Sequence, residues 1–290
     1  MCKTALSRHA ALTGSCNHSM IAPFIMTIQD PRQDRSAGGA GQDLLGKTAL
    51  VTGASRGIGR AIARRLAEAG CDIAANYINS HEEAESLRVE VEALGRKVLL
   101  LQGNVGDPAS VAEILEAVAR GFGRLDFLVS NAASGVLRPA LEMTLRHWRH
   151  CLETNALALN LLAQRAAPLL APGSAIIAIS SLGAERALPD YAFIGASKAA
   201  LESLVRSLAL ELGPRGIRVN TVSAGVVDTD ALKAFPQRER ICGEFLRRSV
   251  AGRLLTPEDV AGAVYLLCRS EARMITGQIL RVDAGYSIIG

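Results

Sequence analysis

Aromatic residues are scarce in this chain: 4% of 290 residues, with a single tryptophan. Proteins that hold single-stranded nucleic acid rely on stacked rings, so that function is disfavoured. Charge of one sign is scarce too. The formal net charge is +4, and the basic pairs Arg146/Arg149 and Arg247/Arg248 are local, as on solvated helix faces. The six cysteines (Cys2, Cys16, Cys71, Cys151, Cys242 and Cys268) are scattered. None forms C-x-x-C and no His/Cys spacing suits zinc, so no metal is expected and a reducing compartment is. No apolar run approaches the roughly 18 residues of a membrane span. A cytoplasmic protein without membrane or nucleic-acid partners is the expectation.

Acidic residues are absent before Asp30, and residues 1–44 lack any sustained periodicity. This stretch reads as a flexible leader, or as an upstream extension with Met20 or Met26 as the true start. A transit peptide is the alternative, against which stand its few arginines and the lack of an amphipathic face.

What the chain does have is apolar material, 49% of its residues, in short pieces. Apolar strands are expected at Thr48–Val51, Ile73–Ala75, Val98–Leu101, Phe127–Val129, Ala175–Ile179, Arg218–Val222 and Ile279–Val282. Helical patterns lie between them. Ile58, Ile62 and Leu66 recur every fourth residue before Gly70. Ser80, Asp107 and Thr256 stand at helix starts, and longer helices are expected over about 144–170 and 190–212. This alternation predicts one doubly wound α/β domain over 45–290, a seven-stranded parallel sheet with helices on both faces. Ligands bind such sheets at the carboxyl ends of the strands.

Directly after the first strand stands Thr52-Gly53-Ala54-Ser55-Arg56-Gly57-Ile58-Gly59. Glycines admit a pyrophosphate close to the backbone, and the helix start supplies amide donors. The spacing T-G-x-x-x-G-x-G resembles the short-chain dehydrogenase/reductase family, whose fold is Rossmann-type. Further segments resemble that family in order: Asn104-Val105 after strand three, Ser130-Asn131-Ala132-Ala133 after strand four, Asn155, Ser180-Ser181, Lys198, and Ser223-Ala224-Gly225 with Val227 and Thr229. The resemblance implies a dinucleotide held by Gly53, Ser55, Arg56, Gly57, Ile58, Gly59, Asn104, Val105, Asn131, Ala132, Lys198, Gly225, Val227 and Thr229. The second strand ends in Asn76-Tyr77-Ile78-Asn79-Ser80, with no carboxylate to repel a 2′-phosphate, and Arg56 is placed to pair with one. NADPH is the expected cofactor.

One departure is informative. Most of the family has Y-x-x-x-K, but four residues before Lys198 stands Ile194, which has no ionisable group. Tyr191 lies seven residues before Lys198. Two helical turns would keep both side chains on one face. Y-x6-K, with Ser181, resembles the type III branch of the enoyl-acyl-carrier-protein reductases. That resemblance implies reduction of trans-2-enoyl thioesters on an acyl-carrier protein or CoA, with Tyr191, Lys198, Ser181 and Asn155 as the catalytic set. It further implies that Lys198 lowers the phenol pKa, that Asn155 fixes a water or a backbone bulge behind Lys198, that residues 228–252 form a substrate lid, and that the protein is a homotetramer. Two rivals stay open: a reductase of 3-oxoacyl thioesters or other ketones, and a non-enzymatic NADPH-binding protein.

Overall fold

The computed structural model describes residues 42–289 apart from Pro236. The expected leader therefore lies outside the described residues except for its last three. Of these, Leu44 is 4% exposed and Asp43 accepts the Tyr265 hydroxyl at 2.8 Å, so packing begins slightly before residue 45.

Each short apolar run forms a strand: β1 Thr48–Val51, β2 Asp72–Tyr77, β3 Val98–Gln102, β4 Leu125–Ser130, β5 Leu170–Ser181, β6 Arg218–Ala224 and β7 Ile279–Val282. They build one sheet in the order β3-β2-β1-β4-β5-β6-β7, with every neighbouring pair parallel. The expected doubly wound α/β fold is the one found. β5 starts earlier than its apolar core implies, because Leu170 pairs with Leu125 before the register shifts to Ala175 beside Phe127.

The helices are α1 Gly57–Glu68, α2 His81–Ala93, α3 Pro108–Phe122, α4 Leu145–Leu152, α5 Ala158–Ala166, α6 Ala192–Leu212, α7 Asp230–Lys233, α8 Arg238–Arg248 and α9 Pro257–Cys268. Buried residues of α1, α2 and α9 pack on one face of the sheet. Those of α3, α5 and α6 pack on the other. Asp107 caps α3 by accepting from Ala109 and Ser110 N–H. Ser80 occupies the cap position of α2 but makes no side-chain cap bond.

The helix expected over 144–170 is interrupted. Between α4 and α5 the chain forms one π-turn, Glu153–Leu157. Such a turn inserts one residue into the helical ladder and redirects a side chain, often at a functional site; here the side chain is that of Asn155. Trp148 on α4 meets Phe193 on α6 edge to face, with ring centroids 5.0 Å apart. No helix among the described residues is long and apolar enough to cross a membrane, and none of their acidic, His or Cys side chains gather as a metal site.

Candidate active site

The turn after β1 is held by backbone meeting backbone. Gly53 and Gly57 adopt φ of +63° and +56°, a region that L side chains rarely enter. Gly59 is required for another reason: a Cβ there would lie 2.1 Å from the Gly53 carbonyl oxygen. Asn131 and Asn76 fix this turn from neighbouring strands. The Asn131 amide donates to the carbonyls of Thr52 (2.9 Å) and Gly53 (3.3 Å). Asn131 and Ala132 N–H donate to Thr52 Oγ1. Asn76 accepts from Gly53 N–H (3.4 Å) and donates to the Leu101 and Gly103 carbonyls. Thus the Asn131 side chain braces the turn, and Asn76 is a bracing residue that the sequence reading did not single out.

Of the remaining expected binding residues, Ser55 is buried, Ile58 is half-buried, and Arg56 is exposed at the start of α1. Asn104 closes its own turn by accepting from Gly106 N–H (3.0 Å), while Val105 is buried in the core. Thr229 lies against Gly57, 3.7 Å from where a Cβ would be. Val227 forms a bridge with Leu255, and Asp228 N–H donates to the Leu255 carbonyl. That bridge closes the base of the segment carrying α7 and α8. Gly225 is packed under this segment, since a Cβ there would meet Phe245 at 2.8 Å and Asp283 at 3.2 Å.

The catalytic candidates converge at the end of β5. The Tyr191 and Ser181 hydroxyls are 3.2 Å apart. Lys198 Nζ donates to the Ile179 carbonyl at 2.8 Å. Tyr191 sits at the N-cap of α6 rather than inside the helix, so two regular helical turns are not what unites it with Lys198. Asp190 before it takes φ of +59°, which turns the chain and aims the phenol at Ser181. The ring lies flat on Gly183, where a Cβ would come within 2.5 Å of two ring carbons. Ile194 is directed elsewhere, packed on Gly135, whose Cβ would lie 2.3 Å from it.

Asn155 lies in the π-turn and is buried. It accepts from Ser134 N–H (2.8 Å) and donates to the Ser134 carbonyl and to Ser197 Oγ, joining the loop after β4 to α6. The charges follow from burial. Burial pulls the Lys198 ammonium down to about 8. Burial pushes the Tyr191 phenol up, opposed by its bond to Ser181. A phenol lowered by Lys198 is therefore not what the structure has; the ammonium is turned to a carbonyl, and desolvation prevails.

The expected lid carries two helices, but its apolar residues divide their roles. Phe235 stacks on Tyr191 with ring centroids 6.1 Å apart, and Gln237 donates to the Asp190 carboxylate at 3.4 Å. Phe245 is buried and stacked on Tyr286. Arg248 is committed to the Tyr286 ring and the Ile289 carbonyl, and Arg240 to Gln237. The segment after β7 thus packs against α8.

A family described as enoyl-(acyl carrier protein) reductase matches residues 53–287. The 1-cyclohexenylcarbonyl-CoA reductase of Streptomyces collinus is 38% identical over 245 residues, 84% of this chain and 88% of that protein. The 3-oxoacyl-[acyl-carrier-protein] reductase FabG of Staphylococcus aureus is 37% identical over 243 residues, 82% of this chain and 97% of that protein. Among solved structures, a short-chain dehydrogenase from Burkholderia cenocepacia J2315 in complex with NADP is 38% identical with a TM-score of 0.80, covering 84% of this chain and 99% of that one. The glycine turn, the sheet order and these likenesses coincide over the same residues, and the chain belongs to the short-chain dehydrogenase/reductase family and is an oxidoreductase.

Proposed function

We propose that this oxidoreductase reduces trans-2-enoyl thioesters, carried on CoA or an acyl-carrier protein, to saturated acyl thioesters with NADPH. The observation that carries this reading is the placement of the acid: Tyr191 beside Ser181, with an isoleucine at 194. The cradle fits a dinucleotide, because helix α1 starts directly after the glycine turn and the position a Cβ would take at Gly57 has nothing nearer than Thr229, at 3.7 Å. Arg56 recognises the 2′-phosphate, and Gly53, Ser55, Gly57, Ile58 and Gly59 receive the pyrophosphate. Lys198 holds the nicotinamide ribose. When bound, NADPH supplies a hydride for the β-carbon.

As the C=C electron pair moves toward the carbonyl, negative charge collects on the thioester oxygen. Tyr191 donates its O–H to that oxygen, the charge stabilisation on which acyl chemistry depends. Ser181 orients the phenol. The enolate then takes a proton at the α-carbon. The oxygen lies three bonds from the hydride acceptor, whereas a ketone oxygen is bonded to it directly, which is a physical reason for a tyrosine displaced along the chain. The name of the Streptomyces relative denotes a conjugated unsaturated acyl-CoA, which supports the same chemistry.

The close Ser181–Tyr191 pair also favours a second reading, reduction of a 3-oxoacyl thioester, as the name of the Staphylococcus relative would have it. NADPH absorbance with crotonyl-CoA, acetoacetyl-CoA and longer enoyl carriers decides. Oxidation with enoyl substrates alone supports the first reading. Oxidation with acetoacetyl-CoA alone supports the second, and NADPH binding without turnover on any of them overturns both. A homotetramer belongs to the proposal, supported by exposed Leu210, Leu266 and Met274 on α6, on α9 and before β7; light scattering measures it.

A further inference from the structure

Three consecutive residues at the end of β5 are each tied to a different residue of α6 or its cap. The Ile179 carbonyl accepts from Lys198, the Ser180 hydroxyl donates to Glu202 Oε1 at 2.6 Å, and the Ser181 hydroxyl meets Tyr191. The first and third bonds belong to the site already described; the second has no role in it. Ser180 is 3% exposed and Glu202 5%, so this is a buried carboxylate among Leu201, Val205 and Leu208 on the inner side of α6. Burying a carboxylate is costly without a donor and a countercharge. Ser180 is the donor. Lys198, one turn earlier on the same helix face, is the nearest buried cation in sequence.

We propose that Glu202 is a positioning residue for the reacting centre: its carboxylate fixes Ser180, and through it Ser181, and it stands one helical turn from the buried Lys198 ammonium as its countercharge. The groups that face Glu202 are few. Lys198 and Arg206 come from α6, Ser180 from β5, Glu185 from the turn after β5, and Arg281 from β7. Glu185 and Arg281 pair with each other through both carboxylate oxygens at 2.6 Å, which neutralises much of what each presents to Glu202. Burial pulls Lys198 down, and Glu202 is the group that opposes this. The inference rests on the reading that Lys198 and Tyr191 serve the reaction.

The chain contains five lysines, so a lysine ¹³Cε NMR titration of the protein alone resolves them, with Lys198 assigned by the signal lost in Lys198→Arg. Glu202→Gln keeps an acceptor for Ser180 and removes the charge. The Lys198 midpoint should fall by roughly one unit, the scale of losing one close opposite charge. Glu202→Asp keeps the charge and should leave the midpoint in place while turnover drops, because the shorter arm no longer reaches Ser180. Ser180→Ala, which leaves α6 intact, should lower kcat several-fold with an unmoved Lys198 midpoint and unchanged KM for NADPH. An unmoved midpoint in Glu202→Gln overturns the electrostatic role, and wild-type kcat in Ser180→Ala overturns the positioning of Ser181. The NMR midpoint does not depend on which thioester is reduced. An unmoved midpoint in an enzyme active on enoyl thioesters counts against Glu202 alone; a shifted midpoint in a protein inactive on all of them counts against the proposed reaction alone.

Discussion

Around Gly53, Gly57 and Gly59 the backbone is packed against itself, whereas around Tyr191 the chain is held by contacts, most of them from side chains, with three separate segments. In the first region a single added carbon would strike a carbonyl oxygen. In the second, the Ser181 side chain from β5, the Arg138 N–H from the loop after β4, and the Phe235 and Gln237 side chains from the segment 228–252 converge on two residues, Asp190 and Tyr191. A close-packed backbone turn is rigid and tolerates almost nothing. A centre suspended on side-chain bonds is adjustable, and its failures are graded.

The largest expected effect lies in the rigid region. Gly59→Ala should destabilise the protein by about 3 kcal/mol or more, the upper range for a core that has to move to admit an atom, and should abolish NADPH binding. Denaturant unfolding and cofactor fluorescence measure the two. A variant with wild-type stability and affinity would break the contrast, because the turn would then be as adjustable as the site around Tyr191.

Next comes Tyr191→Phe. The ring still packs on Gly183, so fold and NADPH affinity should persist, while kcat on an enoyl thioester should fall roughly 10²-fold, the scale for losing an acid or oxyanion donor. Near-full activity would assign the donor role to Ser181 or water.

Lys198 offers a test of burial. Its proton is held less tightly folded than unfolded, with a folded value of about 8 against an ordinary 10.5. Between those values the unfolded chain binds more protons, so this residue's contribution to stability rises with pH across that window and is flat below it. The difference in Tm between wild type and Lys198→Met should therefore shift in favour of wild type from pH 8 to 10.5. A constant difference would mean that the ammonium is hydrated.

The smallest effect separates backbone from side chain at Asp190. Asp190→Ala places an ordinary residue at positive φ, at a cost of about 1 kcal/mol, and should lower kcat several-fold. Asp190→Gly restores the backbone freedom without the bond to Gln237 and should recover most of kcat while leaving KM for the thioester raised. Equal kcat in the two variants would show that the left-handed turn does not set the phenol.

This contrast also separates what was legible in the sequence from what was not. The cradle could be read because glycine at Gly53, Gly57 and Gly59 answers a local steric demand, and the strands because each is a short apolar run beside such a turn. The π-turn was not legible: apolar spacing from 144 to 170 is compatible with an unbroken helix, and one inserted residue leaves little trace in a periodic pattern. Nor was the cap position of Tyr191, which depends on a non-glycine residue in a left-handed conformation. Lys198 and Ser181 are carried by the resemblance, but the bonds of Lys198 to the Ile179 carbonyl and of Ser180 to Glu202 come from β5 packing on α6. Glu202 left a signal that was passed over, an acid four residues after Lys198 on an otherwise apolar helix face.

Trp148 gives this arrangement an optical readout. It is the only tryptophan of the chain, it stands edge-on to Phe193, and Phe193 is two residues after Tyr191. Excitation at the red edge of protein absorbance therefore interrogates one indole beside the first turn of α6. A ligand that displaces that turn changes its emission, so movement at the first turn of α6 can be watched without a label.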